Sequence, residues 1–342
     1  MQEIIDRQES VAIGECQPLP LPKFDTYTIT NLRGGIGKTS IAFNLSYLAD
    51  NLLVADTCPQ GNLSYFYDQN YAQTGGVTTA DLIRPYILPG FGSPSHGSQK
   101  ISATNSFFDG RNNFFIKSSG DLYVLPNQIS TALVQARTVA GSSQTLMLDN
   151  ILYSLRNELR KEMAVTSTDK CLIDTSPFFV GATQLAWNAA DALIVPVRTD
   201  QQSVNSFKLL IDMLTLPSSE FRKNLPSDGH MPKIQMVILT HCAWSTREGS
   251  RNKPNQQTKM FLNEIWRVVS TRINLFTTDN PCNHVVILDD FLGSGRVSSA
   301  KSKPIPCLLP NESNVINREK SVVNQSVSKI QNELKFIYNS IW

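Results

Sequence analysis

The stretch Arg33-Gly34-Gly35-Ile36-Gly37-Lys38-Thr39-Ser40 decides the fold of this chain. It directly follows a β-rich run at residues 27–31 and opens a helical pattern of apolar residues at Ile41, Leu45 and Leu48. Glycines let the backbone curl around a phosphate, and the helix that follows adds its positive N-terminal dipole. Lys38 supplies a charge for the β- and γ-phosphates, and the Thr39 hydroxyl can coordinate Mg²⁺. An ordinary glycine turn is the alternative, but strand, turn, Gly-Lys-Thr and helix in this order predict a phosphate-binding loop.

Apolar β-rich runs recur along the chain, separated by helical patterns. The runs lie at residues 27–31, 52–56, 122–126, 171–175, 192–197, 234–240 and 285–288. Most are continuously apolar rather than alternating, as expected of strands that are covered on both faces. Apolar residues at helical spacing fill the intervals and the final segment, 323–341. This order predicts an α/β fold of the P-loop NTPase type, with a mostly parallel sheet flanked by helices on both faces.

The sequence predicts one main domain with two additions. Residues 1–23 are interpreted as an N-terminal tail that ends in an extended Pro-rich linker at 17–22. Residues 24–342 form the P-loop domain. Within it, residues 86–117 are rich in Gly, Ser, Pro and Asn and lack periodicity, so we predict a long surface insertion.

Composition excludes several classes of protein. The 342 residues are 41% apolar, which supports a sizeable core and excludes a wholly disordered chain. No apolar run approaches the roughly 20 residues of a membrane span, and the acidic N-terminus lacks the apolar stretch of a secretory signal. The six cysteines and four histidines are dispersed without a CxxC pair, which argues against a disulfide framework and a zinc site. We therefore expect a cytoplasmic protein with reduced thiols.

Charge is distributed unevenly along the chain. Residues 1–200 carry 14 Lys and Arg against 18 Asp and Glu, whereas residues 201–342 carry 17 against 11. The basic C-terminal part either faces a polyanion or is an ordinary solvated face, and charge alone favours the second interpretation.

The phosphate loop, residues 33–40, departs from the general pattern GxxxxGK[ST] because Leu32 occupies the first glycine position. It resembles the KGGxGKT loop of the ParA/MinD/Soj family of partition ATPases. Four further segments resemble motifs of this family in the same order. They are residues 54–64 (DxDPQGNxS), 171–177 (the Walker B strand IIDTPP), 189–197 (AADxVLIPV) and 296–305 (RLSEA…GKPI). Because the motifs occur jointly over about residues 26–338, the resemblance is specific.

The resemblance implies an ATPase that uses ATP and Mg²⁺ and forms a homodimer around two nucleotides. The predicted catalytic residues are Lys38, Arg33 and Asp56, and the predicted nucleotide-binding residues are Arg33, Gly34, Gly35, Ile36, Gly37, Lys38, Thr39 and Ser40. Thr39, Asp56 and Asp174 are the predicted magnesium ligands, since Mg²⁺ prefers water plus one or two acids. For either aspartate, a helix N-cap or a surface ion pair is the alternative. In the family, the basic residue that starts the loop touches the partner's nucleotide, and Arg33 is expected to do the same, with a different reach from lysine.

Cys58 is the larger departure from the family. It occupies the position of the second Asp of DxDPQ, which orients the attacking water. A thiol cannot match a carboxylate in that task, so we expect slow hydrolysis. A redox-sensitive thiol is possible at this position, but a small core residue is the favoured interpretation.

For DNA, the resemblance implies sequence-independent contact through basic residues of the ATP-bound dimer. The candidates are Arg247, Arg251, Lys253, Arg296, Lys301 and Lys303. Such contacts give non-specific, salt-sensitive binding, and a solvated basic face is the alternative. The resemblance further implies a ParB-like activating partner, a location on the nucleoid, and a role in segregating a plasmid, a chromosome or other cargo.

Three other functions are open to such a chain. One is an ATP-gated scaffold that hydrolyses poorly, which Cys58 favours. A second is a MinD-like membrane regulator, but the last helix lacks a basic face, so packing on the sheet is favoured. The third, an iron–sulfur reductase, is discounted because no cysteine pair has the spacing for a bridging cluster.

Overall fold

A computed structural model describes residues 1–88, 90–179, 181–245, 252–316 and 318–342. The strands within these ranges are β1 Thr26–Ile29, β2 Leu52–Asp56, β3 Gln99–Lys100, β4 Phe114–Ile116, β5 Lys170–Asp174, β6 Ala192–Arg198, β7 Lys233–Cys242, β8 Val285–Asp289, β9 Ser313–Ile316 and β10 Glu319–Val322. The α-helices are α1 Gln2–Ile13, α2 Lys38–Leu48, α3 Asn62–Tyr67, α4 Thr79–Ile87, α5 Leu125–Thr138, α6 Ser142–Leu152, α7 Ser154–Thr166, α8 Ala182–Ala189, α9 Gln201–Thr215, α10 Glu220–Lys223, α11 Gln256–Thr271, α12 Leu292–Lys301 and α13 Val327–Ile341.

In the described part of the chain, β1 to β8 form one sheet in the order β3-β4-β2-β5-β1-β6-β7-β8. Every neighbouring pair is parallel except β3 and β4. Alternate residues of β2 enter opposite cores: Val54 packs with α2 and α13, and Leu53 and Ala55 pack with α4 to α8. Helices α9 and α11 cover the second face at β6 and β7. The predicted parallel sheet with helices on both faces is confirmed.

Strand order brings the predicted site together. β1 lies between β5 and β6, and β5 also pairs with β2, with Asp56 opposite Asp174 in register. In parallel α/β sheets, ligands bind in the crevice at the carboxyl ends of the strands, where the strand order switches direction. The phosphate loop leaves the carboxyl end of β1, so both carboxylates lie beside it.

Six of the seven predicted strands are present, and the one predicted at residues 122–126 is wrong. That segment instead contains a 3-10 turn at Gly120–Tyr123 and the start of α5, with Pro126 in its first turn. Proline has no N–H for a strand ladder but is tolerated in the first turn of a helix, which explains the error. The place beside β2 is taken by β4.

The prediction of a surface insertion at residues 86–117 needs correction. Its second half adds β3 and β4 to the sheet and buries Ile101, Phe108 and Phe115 in the core. The apolar signal was weak because β4 spans only three residues at the edge of a polar, Asn-rich segment.

The prediction of an N-terminal tail is also wrong for its first half. Residues 2–13 form α1, whose Ile4, Ile5 and Val11 are buried against the main domain. Arg7 donates hydrogen bonds to the carbonyl oxygens of Cys282 and Val285 beside β8, so α1 covers the edge of the sheet. The apolar residues at helical spacing were the signal that could have revealed this helix.

Candidate functional site

The phosphate loop has the backbone that its glycines predict. Gly35 and Gly37 have φ values of +71° and +94°, a region that other residues rarely adopt. A Cβ at Gly35 would meet no atom of the described residues within 4 Å beyond its chain neighbours, so the loop borders open space at this position. α2 begins at Lys38 with Gly37 as its N-cap, which directs the positive end of the helix dipole to this space. The loop can therefore accept an anion.

The side chain of Lys38 lies inside the phosphate loop. It is almost fully buried, and Nζ donates a hydrogen bond of 2.7 Å to the carbonyl oxygen of Arg33. Burial lowers the pKa of Lys38, and the nearby carboxylate of Asp174 opposes this shift. A bound phosphate would offer the ammonium group a stronger, charged acceptor than the carbonyl oxygen does.

Asp174 has the properties of a cation ligand. Thr39 Oγ1 donates a hydrogen bond of 2.7 Å to its Oδ2, while Oδ1 is buried without a hydrogen-bond partner among the described residues. Burial, and next the charge of Asp56, raises the pKa of Asp174 to about 7. A buried acceptor without a donor is costly. A divalent cation would satisfy it, so Thr39 and Asp174 fit Mg²⁺.

Asp56 is engaged differently from Asp174. Its Oδ2 accepts hydrogen bonds from both the backbone N–H and the hydroxyl of Ser64, each 2.8 Å, and its Oδ1 accepts one from the Cys58 N–H. Burial raises its pKa to about 6, and the Ser64 hydrogen bonds oppose the rise. These contacts fit a carboxylate that acts on the metal's water shell. The sequence analysis did not assign Ser64 a role.

Cys58 lines a cavity of about 370 Å³ together with the phosphate loop. The other walls are Gln60, Asn62, Thr175 and Pro177. The side chain is 5% exposed, and burial, with the charge of Asp56 next, raises the pKa of the thiol to about 12. The thiol is therefore protonated at neutral pH, so it is neither a base nor a reactive thiolate. We name this space the phosphate cavity.

A second cavity, of about 590 Å³, shares Gly35, Gly37 and Ser40 with the phosphate cavity. Its other walls come from the ends of β6, β7 and β8 and from α12, and include Arg198, His241, Asp290, Phe291 and Arg296. Four distant segments meet here, so no local pattern in the sequence could have identified it. We name it the side cavity.

Arg33 lies in an ion pair within its own chain. Its Nη1 contacts Oδ1 of Asp200, the residue that precedes α9. The sequence analysis expected Arg33 to reach a partner chain and did not identify Asp200.

The structure separates the predicted DNA-binding residues into three groups. Lys253, Arg296 and Lys301 are exposed, and Arg296 also lines the side cavity. Lys303 is committed elsewhere, because its Nζ lies 2.9 Å from both carboxylate oxygens of Glu312, and we remove it from the predicted surface. Arg247 and Arg251 lie outside the described residues.

The described helices include none with the length and apolar character to cross a membrane. The apolar face of α13, which the sequence analysis weighed as a membrane helix, is buried on the sheet through Ile330, Leu334 and Ile337.

Comparison with known proteins identifies a matching family model and two related proteins. A family model described as "AAA domain" matches residues 25–226. The chain is 25% identical to Protein IncC of Escherichia coli over 190 residues, which cover 54% of this chain and less than half of IncC (44%). It is 23% identical to the sporulation initiation inhibitor protein Soj of Bacillus subtilis over 249 residues, which cover 71% of this chain and 83% of Soj.

Two solved structures resemble the fold. A complex of McdA from Cyanothece with ATP has a TM-score of 0.55 at 20% identity, covering 82% of this chain and 89% of McdA. A plasmid partition protein of Borrelia burgdorferi bound to AMPPNP has a TM-score of 0.50 at 13% identity, covering 94% of this chain and all of that one. At these identities the likeness shows the fold alone. The matched family model covers more than half of the chain, and with the ordered motifs it shows the family: the chain belongs to the ParA/MinD/Soj family of P-loop ATPases.

Proposed function

We propose that this chain is a partition or positioning ATPase that binds Mg·ATP, dimerises around two nucleotides and then binds DNA without sequence preference. The observation that carries the proposal is the pairing of an open glycine loop with Lys38 and with Oδ1 of Asp174, which is buried and has no hydrogen-bond partner in the described part of the chain. An anion cradle beside a carboxylate with one oxygen still open fits a phosphate chain with its metal ion. Mg²⁺, when bound, would neutralise charge on the phosphate oxygens.

In this proposal, each of the two cavities binds one part of the nucleotide. The phosphate cavity takes the triphosphate, and the side cavity, which opens from the same glycines, has room for the nucleoside. Phe291 and His241 offer rings, and Asp290 offers an acceptor for the N–H and O–H donors of a nucleoside.

A direct hydrogen bond connects the phosphate loop to β7, the strand that precedes the basic segment. Thr240 Oγ1 donates to the carbonyl oxygen of Ile36 at 3.1 Å. Beyond β7, Trp244 and Pro254 form an antiparallel bridge that closes the base of the segment carrying Lys253. A change in the loop on ATP binding would thus act on the strand that leads to this segment. This connection supports DNA binding that depends on ATP, for which we propose Lys253, Arg296 and Lys301 as contacts. The proposed location is the cytoplasm, in association with the nucleoid.

An electrophoretic shift assay tests the proposal. Duplex DNA of unrelated sequences is titrated with the protein in Mg²⁺ with ATP, AMPPNP, ADP or no nucleotide. We expect shifts of similar strength on every sequence with ATP and AMPPNP, weakening steeply with salt. Equal binding without nucleotide, or binding to one sequence only, would contradict the proposal.

Cys58 favours a second candidate, a dimer that holds ATP for long periods and acts as a gated scaffold. The protonated thiol replaces the carboxylate that positions water in the family, in the same cavity as the phosphate loop. A ParB-like partner that supplies the missing group would reconcile the two candidates. Single-turnover hydrolysis of labelled ATP, with and without DNA, separates them, because only a scaffold retains its ATP after dimerisation.

A further inference from the structure

Arg33 and Asp200 form a contact that joins the phosphate loop to α9. Their side chains are 27% and 32% exposed, so the pair lies at the surface of the site rather than in the core. Asp200 is also the N-cap of α9, since its Oδ1 accepts the Ser203 N–H at 2.9 Å. α9 is fixed to the sheet by Val204 and Phe207, which are fully buried. The acceptor that holds Arg33 therefore belongs to a rigid element.

The contact conflicts with the one that the family resemblance implies for Arg33, to the nucleotide of a partner chain, and the inference rests on the proposed dimer around two nucleotides. A guanidinium group that reaches a nucleotide in a partner chain cannot remain on Asp200 of its own chain. We propose that Asp200 is a positioning residue that retains Arg33 in the single chain and releases it when two ATP-bound chains associate. Association then includes the cost of breaking this pair in each chain.

The neighbourhood of Asp200 makes such a release feasible. Arg198 Nε lies 3.6 Å from Oδ2 of Asp200, and its side chain is 47% exposed. After Arg33 leaves, Arg198 and the Ser203 N–H still satisfy the carboxylate, so no buried charge is left unpaired. An exchange of this kind needs no rearrangement of α9.

Asp200→Asn tests the inference because asparagine caps a helix as well as aspartate does while carrying no charge. Exposed ion pairs contribute little, so we expect half-maximal dimerisation at an ATP concentration about two- to five-fold lower than in the parent protein. The measurement is analytical ultracentrifugation of the full chain with AMPPNP and Mg²⁺. Asp200→Glu, which keeps the charge, should remain closer to the parent than Asp200→Asn. Glu264→Gln, which breaks the exposed pair between Lys208 of α9 and Glu264 of α11, is the matched control and should change nothing.

The direction in which Asp200→Asn shifts the nucleotide concentration for half-maximal dimerisation shows whether Asp200 retains Arg33. An unchanged or higher nucleotide requirement in Asp200→Asn, with thermal unfolding showing an intact fold, overturns the inference. The double variant Arg33→Gln/Asp200→Asn should match Arg33→Gln alone, and a further shift in the double variant would mean that Asp200 does not act through Arg33. If the parent protein binds no AMPPNP in calorimetry or does not dimerise with it, the proposed function fails and the inference fails with it. If the parent dimerises and Asp200→Asn does not shift, only the inference fails.

Discussion

The phosphate cavity and the basic C-terminal surface are built in contrasting ways. The phosphate cavity is assembled from short contiguous motifs at the ends of β1, β2 and β5, and its key contacts are made by backbone and by buried side chains. The proposed basic surface would consist of the exposed side chains of Lys253, Arg296 and Lys301, which lie on separate segments after β7 and on α12. Lys253 and Arg296, for instance, are 43 residues apart in the sequence.

This difference determines what a single substitution can do. In and beside the phosphate cavity, Thr39 and Ser64 have defined partners in Asp174 and Asp56, so the removal of either hydroxyl leaves a carboxylate with one donor fewer. On the proposed basic surface, several solvated charges would act on the same polyanion, so the effect of removing one should be partial and should depend on salt. The following predictions test the contrast, from the largest expected effect to the smallest.

Lys38→Ala should weaken ATP binding roughly 100-fold or more, because removing a buried charged partner costs several kcal/mol. The fold should persist, since Lys38 makes its hydrogen bond to the loop itself, at Arg33. Isothermal titration calorimetry gives the affinity. Lys335→Ala, on the exposed face of α13, is the control and should bind as the parent does. Undiminished ATP affinity in Lys38→Ala would refute the phosphate-loop assignment.

Arg296→Glu should weaken ATP-dependent DNA binding, and the plot of log affinity against log salt should flatten by about 0.9 for each DNA phosphate that the protein no longer neutralises. Fluorescence anisotropy over a series of salt concentrations measures both. Because Arg296 also lines the side cavity, ATP affinity is measured on the same sample. Lys303→Ala is the informative control: its ammonium is bound to Glu312, so the salt slope should not change. If Arg296→Glu binds DNA as the parent does at low salt, the surface is wrongly placed.

Cys58→Asp should raise the basal single-turnover rate at least several-fold without tightening ATP binding, since positioned general bases contribute about 10²–10⁴-fold. The new carboxylate would join Asp56 and Asp174 in a buried site, so rates are compared at saturating Mg·ATP, where cations offset the added charge. Cys58→Asn, similar in size to Asp but uncharged, should stay near the parental rate. A parent protein that already hydrolyses as fast as Cys58→Asp would show that another residue positions the water.

The smallest expected effect is that of Glu333→Gln, which should flatten the pH dependence of the free energy of unfolding. Glu333 is fully buried, and its Oε2 accepts a hydrogen bond from the backbone N–H of Asp289. Burial raises the pKa of Glu333 from 4.5 to about 8, and the charge of Lys329 opposes this rise. Between these values the native state holds a proton that the unfolded state lacks, so stability falls as pH rises from about 5 to 8. The unfolding temperature of the nucleotide-free parent should fall by a few degrees over this window. In Glu333→Gln the slope should shrink without vanishing, because Asp56 and Asp174 titrate with the same sign. If the unfolding temperature depends on pH in the same way in both proteins, the pKa of Glu333 is not raised by burial.

The sequence predicted the backbone of the phosphate loop and the strands beside it more completely than the rest of the molecule. The order of glycines, Lys38 and Thr39 between a strand and a helix is local, and local backbone requirements are visible in a sequence. Asp56 and Asp174 followed from the family motifs that contain them and from their positions at the ends of two apolar runs. The errors at residues 2–13, 99–117 and 122–126 arose where apolar signals were short or interrupted by proline and polar residues, so that only packing decided the structure.

The sequence by itself therefore determined the fold class, the phosphate loop, the two carboxylates and the replacement of a family aspartate by Cys58. Tertiary structure alone decided which partner each charge has. It joined Arg33 to Asp200 across 167 residues and Lys303 to Glu312, left Oδ1 of Asp174 without a partner among the described residues, and brought four segments together as the side cavity. The physical reason is that backbone conformation depends on neighbouring residues, whereas the energy of a charge depends on the burial and the partners that distant segments provide.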